Sequence, residues 1–135
     1  MVEVKLDGLV TKMPEKTADS SLSYDLYPSK WVTVSAGQTA KVPLGMALSL
    51  PEGYIGIISL NELHIKYKGF ILKNGLKIIH SDYNEPIELE LTNTLTKRLD
   101  ARPCWPIARL NLIKVENTDF KQVEEFTPKN SKFGN

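Results

Sequence analysis

Ala40-Lys41-Val42-Pro43-Leu44-Gly45-Met46-Ala47-Leu48-Ser49-Leu50 is the stretch that decides the fold. Every even position in it is apolar, whereas the odd neighbours Lys41, Pro43, Gly45 and Ser49 are polar or small. A period of two lays the apolar side chains along one face of a β-strand and would scatter them around a helix. Pro43 has no amide proton to give to a ladder, so the stretch predicts an edge or bulged strand. The same alternation returns in Ile87, Leu89 and Leu91 against Glu88, Glu90 and Thr92, and in Ala108, Leu110 and Leu112 against Arg109 and Asn111. Shorter strands are predicted at residues 3–6, 31–34, 54–59 and 76–79. Turn signals separate them at Ser35-Ala36-Gly37, Pro51-Glu52-Gly53, Asn74-Gly75 and Arg102-Pro103. The best helical candidate, residues 60–67, is a turn or two at most. Many short strands at this spacing predict an all-β sandwich, barrel or jelly roll.

Composition narrows the function classes. The 135 residues fit one domain with a real core, and 41% hydrophobic with 24% charged residues is the profile of a globular protein. Seventeen basic against sixteen acidic residues leave a net charge of +1, which gives no electrostatic case for nucleic acid or a membrane surface as partner. The N-terminal residues do not read as a signal peptide and no apolar run is long enough to span a bilayer. The single cysteine, Cys104, has no internal partner, so a cytoplasmic setting is expected, or the host cytoplasm or nucleus for a viral source. From residue 116 onward the alternation ceases. The expected organisation is therefore a β domain over 1–115 and an extended C-terminal arm over 116–135, ordered when it lies on another surface.

Metal chemistry finds little support, because His64 and His80 are the only histidines and Cys104 stands alone. No glycine-rich phosphate loop or nucleophile elbow is present. Cys104 is open to pairing with a histidine in three dimensions, but a small apolar core residue beside Trp105 is the simpler reading.

Five short segments, in order, resemble the motifs of the trimeric dUTPase family. They are Ser23-Tyr24-Asp25-Leu26-Tyr27, the run from Pro51-Glu52-Gly53-Tyr54 and Gly56 into Leu60-Asn61-Glu62-Leu63-His64, then Ile78-Ile79-His80-Ser81-Asp82-Tyr83, Ile107-Ala108-Arg109-Leu110, and Phe133-Gly134. The resemblance implies a jelly-roll/β-clip barrel, hydrolysis of dUTP to dUMP and pyrophosphate, and a homotrimer with sites at subunit interfaces. It also implies magnesium carried on the nucleotide, with no other cofactor, and a C-terminal arm closing over a neighbour's site. Carried over residue by residue, it makes Asp25, Asp82, Tyr83, Arg109, Phe133 and Gly134 the nucleotide-binding candidates.

The departures fall on reactive positions, as in a degenerate viral or phage-type member. His80 stands where the family has its water-activating aspartate. It reads either as a general base or as a hydrogen-bonded core or interface histidine. Leu60, Asn61 and Glu62 occupy the phosphate-gripping Arg-Ser-Gly, so a bidentate donor is gone. A unit charge on Glu62 about 5 Å from a phosphate would repel it by about 3 kcal/mol at an effective dielectric near 20. Arg109, where the family has glutamine, together with Lys129 and Lys132, could meet phosphates from new directions or be solvated surface charges. Losing a positioned base lowers a rate by about 10²–10⁴. Losing a phosphate donor lowers it by about 10²–10³. The expectation is therefore a dUTPase-fold protein that has lost hydrolysis and binds an unidentified host or viral protein. The alternatives are a divergent active dUTP diphosphatase, or a sensor that binds a deoxyuridine nucleotide without cleaving it.

Overall fold

The computed structural model describes residues 1–7, 12–17, 22–61 and 67–129. Within them the chain forms twelve strands: β1 (Glu3–Leu6), β2 (Glu15–Lys16), β3 (Tyr24–Leu26), β4 (Val32–Val34), β5 (Thr39–Pro43), β6 (Met46–Ser49), β7 (Tyr54–Leu60), β8 (Phe70–Leu72), β9 (Lys77–Ile79), β10 (Glu88–Asn93), β11 (Leu99–Ala101) and β12 (Ala108–Lys114). All pairings are antiparallel. There are four sheets, ordered β2-β3-β12-β7-β9, β5-β10-β8, β1-β6 and β11-β4. This is an all-β fold, as the alternation predicts, and a jelly roll, as the family resemblance implies.

The 40–50 stretch is two strands rather than one. Its first half, β5, lies at the edge of the three-stranded sheet, as Pro43 requires, and its second half, β6, crosses to pair with β1. Gly45 sits between them at φ 68°, a left-handed conformation that a side chain would strain. The change of partner is stitched by Leu44 N–H to Ile87 O at 3.0 Å and Ile87 N–H to Met46 O at 2.9 Å. The apolar alternation continues across the break because both strands face one core, in which Val42, Leu44, Met46, Leu48, Leu89 and Leu91 are buried. Each such side chain contributes about 1.5–3 kcal/mol of burial.

The five-stranded sheet has two unlike faces. Gly56, Ile58, Ile79, Ala108 and Leu110 are buried on the inner one. The opposite parity places Ile55, Ile57, Ile78 and Ile113 on the outer one, with Ile57 beside Ile78 and Ile55 beside Ile113. Asn93, wholly buried at the end of β10, is fully used. Its Nδ2 donates to Val34 O at 3.0 Å and Lys97 O at 2.7 Å, and its Oδ1 accepts Leu95 N–H at 2.9 Å.

Candidate functional site

Two successive turns, one from β8 to β9 across two different sheets and one from β9 towards β10, build a polar concavity. β8 turns through Asn74-Gly75 into β9, with Gly75 at φ 83°, and a second turn leads from His80 to Tyr83 towards β10. Tyr83 N–H closes that turn on His80 O at 3.0 Å, and the Tyr83 hydroxyl donates to Pro86 O at 3.3 Å. The pocket beside them, about 270 Å³, is lined by Lys41, Lys73, Asn74, Lys77, Tyr83 and the carboxylates Glu88 and Glu90, over a floor that includes Leu72 and Leu89. Lys73 Nζ lies 3.5 Å from Glu90 Oε2. Lys77 Nζ instead sits over the Tyr83 ring, 5.9 Å from its centroid. Three ammonium groups thus face two carboxylates around an aromatic ring, a surface suited to a flat ligand with negative charge.

Asp25 and Arg109 meet elsewhere, on the outer face of the five-stranded sheet. They are directly opposed across β3 and β12, with Glu15 beyond Asp25 and Ser59 beyond Arg109 in the same row. Thr17 Oγ1 donates to Asp25 Oδ1 at 2.9 Å. Burial, and then the negative charge of Glu15 and Asp25, push the Tyr27 phenol above its ordinary pKa, so it stays neutral. Lys12 Nζ covers that ring at 4.4 Å.

Leu60 ends β7 beside this row, and Asn61 follows it. Leu60 packs partly against the core, so its side chain is a filler of the inner face rather than a blunted phosphate contact. Asn61 is buried, donating its N–H to Ile107 O at 2.8 Å and its Nδ2 to Pro106 O at 3.3 Å. Below it, buried Tyr67 fixes the approach to β12. Its hydroxyl donates to Trp105 O at 2.7 Å, and its ring meets Trp105 edge-on. Burial raises the Tyr67 pKa well beyond the usual phenol range. Arg102 is stacked between Trp31 and Trp105, at 3.8 and 4.7 Å from their ring centroids.

The candidates read from the sequence therefore fall into two groups. Asp25 and Arg109 come together on the sheet, while His80, Asp82 and Tyr83 come together at the turn between β9 and β10, His80 and Asp82 exposed and Tyr83 half-buried. His80 is accordingly not a core residue of the single chain. Cys104 is exposed rather than buried, because the turn at 103–104 directs Trp105 inward instead. Lys129 is exposed. Glu62, His64, Lys132, Phe133 and Gly134, and most of the short helical candidate at 60–67, lie outside the described residues. Lys41, Lys73, Asn74 and Lys77 were not singled out from the sequence. Lys41 and Lys77 come from separate strands, β5 and β9, and Lys73 and Asn74 from the turn after β8, which only the Asn74-Gly75 signal marked.

Among the described residues no three His, Cys, Asp or Glu side chains converge to hold a metal ion. No helix among them is long and apolar enough to cross a membrane. The larger groove, about 530 Å³, is lined by Met1, Val2, Val4, Leu48, Leu110 and Leu112 among others and suits an apolar chain better than an anion.

Residues 10–135 match the family model described as dUTPase. This chain belongs to the dUTPase family. A relative from Glaesserella parasuis serovar 5, named deoxyuridine 5'-triphosphate nucleotidohydrolase, is 32% identical over 97 residues, which is 71% of this chain and 64% of that protein. The enzyme of the same name from Neisseria meningitidis serogroup C is 28% identical over 132 residues, 93% of this chain and 88% of its own. Among solved structures, a mutant dUTPase from phage phi11 of S. aureus, described with a structural Mg(II) ion, superposes with a TM-score of 0.79. It is 18% identical, with 95% of this chain and 99% of that one covered. The dUTPase of Staphylococcus bacteriophage 80alpha also gives 0.79 at 19% identity over 95% and 99%. These structural likenesses carry the fold alone.

The expectation that this protein is not an enzyme is overturned by those relatives, whose names describe a nucleotide hydrolase. The fold gathers Lys41, Lys73 and Lys77, cations from outside the motifs, around one pocket.

Proposed function

We propose that this member of the dUTPase family is a working dUTP diphosphatase, releasing pyrophosphate and dUMP from deoxyuridine triphosphate. The observation that carries the reading is the lysine-lined pocket at the β8–β9 turn, with Tyr83 in its wall and His80 at the adjoining turn. Tyr83 offers the sugar or base a face, Asn74 offers amide hydrogen bonds to a base edge, and the lysines offer charge to the phosphates. Magnesium travels as part of the substrate, on the triphosphate's own oxygens, where it offsets their charge. His80 takes the proton of the attacking water, a task imidazole performs well near neutral pH. Water's oxygen then bonds to phosphorus as the phosphoanhydride bond breaks and pyrophosphate leaves.

The assembly belongs to the same reading. Asp25 and Arg109 do not line the polar pocket of their own chain, and the outer sheet face that carries them also holds exposed Ile78 and Ile113 with half-buried Ile55 and Ile57. A homotrimer would cover those isoleucines and bring the sheet row of one copy to the polar pocket of another. Residues 116–129 are exposed along their whole length, with Phe120 96% and Phe126 90% accessible, as suits an arm that lies on a neighbour.

The test is pyrophosphate release from dUTP with magnesium by the purified chain. Release is expected, and His80→Ala should slow it by about 10²–10⁴. No release by wild type at near-stoichiometric enzyme would contradict the proposal.

A further inference from the structure

We infer that the outer face of the β4–β11 ribbon, together with the turn at 94–98, is a binding surface for single-stranded nucleic acid. Three segments meet there, and none of their residues lines the polar pocket. β4 and β11 pair over residues 32–34 and 99–101, and Thr94 N–H closes the turn on Gly69 O at 2.8 Å. Gly69 lies so close to Leu95 that no side chain would fit between them. Segments 28–36, 67–70 and 94–105 carry five cations, Lys30, Lys68, Lys97, Arg98 and Arg102, against one carboxylate, Asp100. The net charge of +1 therefore averages over a basic end and an acidic remainder, and the balance of the whole chain does not describe this end. Asp100 is engaged by Thr33 and Arg102. Lys30, Lys68, Lys97 and Arg98 are exposed and enter no ion pair among the described residues.

Charge alone would suit any anion, and Trp31 narrows the choice. The Arg102 guanidinium sits 3.8 Å from its ring centroid, and its indole N–H hydrogen-bonds Asp100, so the ring is held in place. Trp31 nevertheless stays 55% exposed. A fixed, open indole among unpaired cations gives a base a face to stack on while its phosphates meet lysine and arginine. A duplex hides the faces of its bases, so a single strand is the form that fits. A protein partner would call for an apolar centre to the patch. Trp31 is the one exposed large apolar side chain in these three segments.

Anisotropy of a fluorescein-labelled oligothymidylate, titrated with the full chain at low salt, tests this and needs no hydrolysis to be read. Binding is expected, weakening steeply as salt rises. Tryptophan emission, which comes only from Trp31 and Trp105, should be quenched in step. Trp31→Ala should weaken binding about tenfold. Trp31→Phe should keep most of it, and it carries the test if Trp31→Ala melts early. Lys97→Glu combined with Arg98→Glu should weaken binding about tenfold or more and flatten the salt dependence. Saturating dUMP should leave the oligomer bound, whereas displacement would place it in the polar pocket and overturn the inference. So would no binding by wild type, or undiminished affinity in either Trp31→Ala or the charge-reversed variant. Polyglutamate binding as tightly as the oligothymidylate would also overturn it, since that marks a surface for an acidic protein.

Discussion

The inner and outer faces of the five-stranded sheet are made from alternate residues of the same strands, yet only one of them is finished within the chain. Inward, Ile58, Ile79 and Leu110 are at most 2% exposed. Outward, Ile78 is 49% and Ile113 42% exposed, in a field that also holds the opposed pair Asp25 and Arg109. A strand spends every second side chain on folding and leaves the others for assembly or chemistry. The inner face explains why the chain folds, and the outer face explains why it is expected to act as several copies.

Substitutions at adjacent residues of β7 separate the two roles. Ile57→Asp, on the outer face, should abolish pyrophosphate release and leave a folded monomer, because a buried unpaired carboxylate is not tolerated at an interface. Light scattering with circular dichroism reads both outcomes. An active oligomeric variant would remove the outer face from the account. Ile58→Ala, one residue along and wholly buried, should instead lower stability by about 2–5 kcal/mol in denaturant melts. Where enough folded protein remains, its assembly should be unchanged.

The smallest effect is electrostatic. Asp100 accepts a hydrogen bond from Thr33 Oγ1 at 2.8 Å, and this bond, helped by Trp31 and Arg102, holds its carboxyl below the usual carboxylate pKa. A group whose folded pKa is depressed stabilises above its unfolded value, near 4, and that contribution is lost as pH falls through the folded value. Asp100→Asn should therefore cost about 1 kcal/mol or less at pH 7, with the gap to wild type closing below about pH 4 in thermal melts. A gap that widened in acid would reverse the assignment.

Much of the fold was legible because alternation survives packing. β1 falls on residues 3–6 as read, and the strands around Leu89 and Leu110 lie where their apolar periods put them. What escaped were β2, β3, β8 and β11, strands of two or three residues that are too short to show a period, and the change of sheets at Gly45, across which the period runs unbroken. The site was harder to read. Asp25, Arg109 and Tyr83 carry recognisable neighbours along the chain, whereas Lys41 and Lys77 lie 36 positions apart and become neighbours of one pocket only through the fold.

The claim that one copy supplies the polar pocket with its 80–83 turn and another the sheet row is tested most directly by mixing two variants. His80→Ala leaves the sheet row intact, and Arg109→Glu leaves the pocket and its turn intact. Each alone should release little pyrophosphate from dUTP. Unfolded together and refolded as a mixture, they should regain a substantial part of the wild-type rate, since some sites would pair two unaltered halves. A mixture as inactive as its components, from a wild type that is itself active, would place the whole site within one chain and contradict the account.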